Sequence, residues 1–111
     1  MNLRLKAEIW ALAHIRRCNA MGLDAFLRHR GAAVGGGILL KINRFDEGCE
    51  LLEPMTGLDG RRVWLRLGGA DGLSDESAEA RIARRLASDP DLWVIEIEDR
   101  DGRHRLDEPI S

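Results

Sequence analysis

The residues best suited to chemistry lie near the end of the chain. His104 stands within a few positions of Asp99, Asp101 and Glu98, and a carboxylate beside an imidazole can orient it for acid/base work or for metal binding. The plainer reading is an exposed hairpin tip whose charges only set strand register, because exposed ion pairs stabilise little. His14 and His29 fall in other segments, so a histidine metal site would need folding to assemble it. Gly35-Gly36-Gly37 invites comparison with a phosphate loop. No Gly-Lys-Ser/Thr follows, and the glycines lead into an apolar strand-like run where a helix N-terminus would be required.

A second set of candidates is basic. Arg16, Arg17, Arg28, Arg30 and Arg44 could line one face and meet phosphates or an acidic partner. Residues 1–45 hold eight Lys/Arg against two acids, net +6. Residues 46–111 hold nine arginines against seventeen acids, net −8. Either the two parts pair with each other in the fold, or the surface is polarised. Against nucleic acid stand the overall charge of −2 and the small number of aromatics, since Trp10, Trp64 and Trp93 all sit in apolar surroundings typical of a core.

Nucleophiles are scarce: four serines, one threonine, no tyrosine, and two well-separated cysteines, Cys18 and Cys49, without a Cys-x-x-Cys pair. Neither a disulfide framework nor a zinc ribbon is expected, and no cofactor or metal is implied. With 44% hydrophobic and 32% charged residues, 111 residues suit one globular domain spanning 1–111. The apolar run at Ile9–Ala13 is flanked by Lys6, Glu8, His14 and Arg16 and is too short for a membrane span or signal segment, which points to the cytoplasm.

These residues must be positioned by a mixed set of elements. Leu3, Leu5, Ala7 and Ile9 alternate with charged residues as a half-buried strand would. An Ala-rich stretch from Trp10 to Met21, stopped by Gly22, predicts a helix, with a long strand through Ile15 as the alternative. Ala25–Arg30 and Ile38–Ile42 are expected to form a hairpin around a flexible glycine loop. Asp46-Glu47-Gly48 and Asp59-Gly60 mark turns on either side of a Cys49–Glu53 strand ended by Pro54 and Gly57; in the following strand, Arg62–Leu67, Val63, Leu65 and Leu67 are expected to face inward. Ser74 with Asp75, Glu76 and Glu79 opens a helix over 75–87 whose buried stripe is Ala78, Ile82 and Leu86. Pro90 closes it. In the last strand Trp93, Ile95 and Ile97 share one face and Glu96 and Glu98 the other. A turn at Asp101-Gly102 then places Ile97 opposite Leu106, Glu98 opposite Arg105 and Asp99 opposite His104, with a loop shifted by one residue, pairing Glu98 with Arg103 and Ile95 with Leu106, as the alternative.

The blocks Leu5–Trp10 with Ile15-Arg16-Arg17, Leu40–Arg44, and Asp89–Arg100 with Gly102-Arg103-His104 together resemble an uncharacterised family of short alphaproteobacterial proteins, domain of unknown function 1491. The resemblance runs over nearly the whole chain and implies a bacterial cytoplasmic protein. It carries no catalytic residue, cofactor or partner.

The expectation is an α+β single domain: a mostly antiparallel sheet with two helices packed on one face. For function, the leading expectation is a small non-enzymatic protein-interaction module whose partner is itself, as a homodimer, or another protein. The alternative is a nucleic-acid-binding module using Arg16, Arg17, Arg28, Arg30 and Arg44, and an acid/base site at Asp99, Asp101 and His104 stands third.

Overall fold

A computed structural model describes residues 7–111. Helix α1 (Ala7–Ala20) is followed by strands β1 (Asp24–His29), β2 (Ile38–Asn43), β3 (Cys49–Thr56) and β4 (Arg62–Leu67), then helix α2 (Asp75–Ser88) and strand β5 (Trp93–Glu98). The five strands form one sheet in the order β1-β5-β2-β3-β4. Every neighbouring pair is antiparallel except β2 with β5. The α+β class and the mostly antiparallel sheet expected from the sequence are therefore present.

Placing β5 between β1 and β2 corrects two expectations. Residues 25–30 and 38–42 do not form a hairpin, because β5 lies between them and pairs with both. The turn near Asp101-Gly102 does close, with Gly102 N–H bonded to the Asp99 carbonyl, but no return strand follows. Both hydrogen-bonding edges of β5 are already occupied, so Ile97 lies opposite Ala25 and Ile42, and the tail must go elsewhere. It runs to the far edge of the sheet, where Trp64 N–H bonds Pro109 O and Ser111 N–H bonds Trp64 O.

The helices occupy opposite faces, where the sequence had suggested one. Ile38, Leu40, Ile42, Trp93, Ile95 and Ile97 point toward α1 and pack with Ala7, Ala11 and Cys18. The intervening Leu39 and Val94, with Leu51, point toward α2 and pack with Ala78 and Ile82. Strands covered on both sides need apolar residues at every position, which is why the starts of β2 and β5 read as continuous apolar runs. The same geometry relocates the inward face of β4. Trp64 is fully buried against the α1 layer, while Val63, Leu65 and Leu67 are half-buried on the opposite side.

Local signals explain the helices. Ser74 caps α2 by accepting the Ser77 N–H, and Asp75 and Glu76 occupy the first turn. α1 ends before Gly22, whose φ of 86° suits only glycine at low cost. Ala7 and Ile9 belong to this helix, so the expected N-terminal strand is absent there; its residues 3–6 lie outside the described residues. Pro54 does not end β3, which continues to Thr56. The residue opposite it, Trp64, turns its N–H away to Pro109, so the ring removes no bond to β4.

Candidate functional site

The structure does not bring Asp99, Asp101 and His104 together as a catalytic group. Asp99 is held by Arg103, whose Nη2 and Nε donate at 2.8 and 2.9 Å and whose backbone N–H donates at 2.7 Å. The Arg103 hydrogen bonds pull the Asp99 carboxyl down to about 2. His104 turns the other way: its Nδ1 accepts the Leu106 N–H, and burial lowers its pKa. Its carbonyl accepts the Nε2–H of His14, which stacks on Trp10 with centroids 4.7 Å apart. Burial lowers the His14 pKa as well, favouring the neutral ring, and the bond fastens the tail to α1.

The N-terminal arginines are mostly committed to carboxylates of the acidic part of the chain. Arg17 pairs with Asp107 at 2.9 Å, Arg28 with Glu79 and Glu96 at 2.6 Å each, and Arg44 with Glu50 at 3.9 Å while also donating to Arg100 O. Arg30 reaches Glu8 at 3.5 Å and lies over the Trp93 ring. Of the five, Arg16 alone is exposed without an ion pair among the described residues. The charge division in the sequence is thus resolved largely by pairing within the chain.

The densest electrostatic feature centres on Lys41. It occupies the position in β2 beside Glu96 of β5, and both side chains are nearly fully buried. Lys41 Nζ lies 2.6 Å from Asp75 and from Glu79, and 3.7 Å from Glu96. Arg28 closes the network, donating through two nitrogens to Glu79 and through one to Glu96, while Asn43 donates to the other Glu96 oxygen. Burial acts to lower the Lys41 pKa, but the bonds to Asp75 and Glu79 and the nearby Glu96 charge outweigh it and raise the value. Arg28 draws Glu79 down to about 2. A lysine whose charged form is favoured and which is bonded to two carboxylates is a poor nucleophile or base, so the network anchors the N-terminus of α2 to the sheet.

Clefts lie elsewhere on the fold. A cleft of about 230 Å³ lies at the fork where β2 and β3 separate, since their ladder stops at Leu40–Leu52 although β2 begins at Ile38 and β3 runs to Thr56. Ile38, Pro54, Met55, Thr56 and Arg62 line it with Gly36 and Gly37. A second, of about 260 Å³, lies beside α2 and is lined by Leu67, Arg81, Arg84 and Arg85. Among the described residues no group of three or more His, Cys, Asp or Glu is placed to hold a metal ion.

A family model described as "Protein of unknown function (DUF1491)" matches residues 5–107. The chain belongs to the DUF1491 family. A crystal structure of a DUF1491 protein from Caulobacter crescentus CB15 is 37% identical, with 96% of this chain and 99% of that one covered and a TM-score of 0.85. An NMR structure of a DUF1491 protein from the same organism is also 37% identical, covering 97% of each chain with a TM-score of 0.81. The solution structure of protein Atu0922 from A. tumefaciens is 30% identical over 86% of each chain, with a TM-score of 0.70. No curated protein matches. The DUF1491 family has no stated activity, so what its fold does must be argued from the surfaces just described.

In this DUF1491 chain the Lys41 network was the principal feature missed in the sequence. Its signal was present: a single charge interrupts each of two apolar runs, Ile38-Leu39-Leu40-Lys41-Ile42 and Trp93-Val94-Ile95-Glu96-Ile97, and the two charges are opposite in sign. Grouping Glu96 with Glu98 on the second face of the strand, with no element expected to cover that face, hid the match.

Proposed function

We propose that the protein is a small, non-enzymatic interaction module of bacterial, alphaproteobacterial cytoplasm. One observation carries the reading: the cleft at the fork between β2 and β3 is lined by an exposed apolar side chain, Met55, and exposed apolar residues stand close to its lining in sequence. Met55 lines that cleft and is 45% exposed, Val34 lies two residues from the lining Gly36, and Leu58, two residues beyond the lining Thr56, is completely exposed. An exposed apolar side chain lining a cleft offers a protein partner a surface to cover. Meanwhile Lys41, Glu96, Asp99, His14 and His104, the groups with most chemical potential, are engaged in internal bonds.

Sheet extension is a less favoured mode of contact than this cleft. Residues 109–111 line the outer edge of β4. On β1 the Asn19 carboxamide takes both the N–H and the C=O of Ala25, and a bulge between Leu27 and His29 breaks the remaining edge. A homodimer, if formed, would use the cleft at the fork between β2 and β3. The nucleic-acid alternative on Arg16, Arg17, Arg28, Arg30 and Arg44 draws little support, because four of these already hold carboxylates. No helix is long and apolar enough to cross a membrane. The two cysteines are free, which suits a reducing compartment.

The test places a photo-crosslinking residue at Leu58 or, as a control, at Arg16, in the native bacterial host. A discrete protein adduct formed from position 58 and lost on Met55→Lys supports the module, and a second copy of the chain as the adduct identifies a homodimer. Equal or absent adducts from both positions would remove the reading.

A further inference from the structure

We propose that the cleft between α2 and β4 is an anion site that takes a phosphate monoester. Arg84 and Arg85 lie three and four positions beyond Arg81 on α2, within reach of it, and all three line a cleft whose remaining wall is Leu67. Arg85 is tied to Glu53 and contributes a neutral pair. Arg81 and Arg84 make no ion pair and no side-chain hydrogen bond among the described residues, which leaves two uncompensated positive charges in the cleft.

Helix electrostatics accounts for only part of this arrangement. A basic residue in the last turn offsets the negative end of the helix dipole, and Arg85 does so. That effect fades within one turn, and Arg81 lies farther from the end. Arg81 is also half-buried, a position in which a guanidinium without a counter-ion gains from any anion that reaches it. Other arginines are unpaired among the described residues, Arg16 and Arg62 among them, but only here do two line one cleft together.

Charge balance selects the ligand class. Two free guanidinium groups match a monoester phosphate, which carries about −1.5 to −2 at neutral pH, better than a carboxylate or a phosphodiester, each with one charge. Planar guanidinium forks bond phosphate oxygens in pairs. A cleft of about 260 Å³ admits the phosphate and a small organic group, which would rest on Leu67. The site is separate from the fork between β2 and β3, so its failure would leave the interaction reading standing.

Amide chemical shifts of the full chain would be followed during addition of inorganic phosphate, phenyl phosphate, acetate and a short single-stranded oligonucleotide, each at matched ionic strength set with sodium chloride. Saturable shifts confined to Leu67 and residues 81–86, stronger for phenyl phosphate than for acetate, are expected. Arg81→Gln with Arg84→Gln should weaken binding by about tenfold or more, and Arg16→Gln should leave it unchanged. Both substitutions lie at the surface, and an unchanged amide spectrum elsewhere verifies the fold. Shifts that never saturate, or equal affinity in the double variant, would overturn the site. Preference for the oligonucleotide would overturn the monoester assignment.

Discussion

Lys41 and Glu96 stand side by side on parallel strands in the centre of the sheet, 3.7 Å apart and nearly without solvent contact. Charges taken out of water cost several kcal/mol each unless fully bonded, and here Asp75, Glu79, Arg28 and Asn43 complete the bonding. Lys41→Met removes the buried cation that Asp75 and Glu79 bond and that faces Glu96, and should destabilise the protein by about 3 kcal/mol in urea denaturation. Lys41→Met combined with Glu96→Gln should recover part of that loss. A single-variant cost below about 1 kcal/mol would mean that water already reaches the network.

Acid should loosen the same anchor. The Glu79 carboxyl is lowered from 4.5 to about 2 in the folded protein, chiefly by the Arg28 hydrogen bonds. A depressed folded pKa means the stabilisation is complete above the unfolded value and is lost as pH falls from 4.5 toward 2. Since Glu79 is partly exposed, solvent screening limits its share to about 1 kcal/mol. The slope of unfolding free energy against pH should flatten in Glu79→Gln across this window, and an unchanged slope would assign the acid sensitivity to other carboxylates such as Asp99.

Local patterns were legible wherever short-range physics decides. Ser74 with its acidic followers located α2, the Asp46-Gly48 and Asp59-Gly60 turns located the β2–β3 and β3–β4 hairpins, and alternation placed Trp93, Ile95 and Ile97 on one face. Order in the sheet was not legible, because insertion of β5 between β1 and β2 is a long-range choice that no turn residue encodes. That one choice displaced the expected hairpin that paired Ile97 with Leu106, and α2 covers the face opposite α1. The arginines were visible as residues, but their pairing with Glu79, Glu96, Glu50 and Asp107 depends on that same topology.

The glycine segment should be intolerant of side chains, contrary to its expected role as a flexible loop. It packs against the start of β5: Trp93 Nε1–H donates to Ala32 O at 2.7 Å, and a Cβ at Gly31 would fall 2.1 Å from Asp91 O and 2.6 Å from the Trp93 ring. Gly31→Ala should thus destabilise by more than about 2 kcal/mol, because backbone must move to admit it. Trp93→Ala should cost ~3–5 kcal/mol. Gly69→Ala, where a Cβ meets open space and only the positive φ is strained, should cost about 1 kcal/mol. Thermal melts of the three variants would establish the order, and a harmless Gly31→Ala would show that the segment lifts off the sheet.

The C-terminal tail should protect the second edge of the sheet. Trp64 is fully buried, and its indole N–H donates to Glu108 while its backbone bonds residues 109–111. Asp107 ties the tail to Arg17, which holds the Asp107 carboxyl below its usual value. Ending the chain at Leu106 would leave the β4 backbone unpaired and open one side of Trp64 to water. An unpaired edge recruits other strands, so the truncated protein should show red-shifted tryptophan emission and concentration-dependent self-association. Arg17→Gln, which weakens only the tether, should leave emission unchanged at neutral pH. If truncation alters neither emission nor sedimentation, the tail is dispensable and β4 is protected by its own short length.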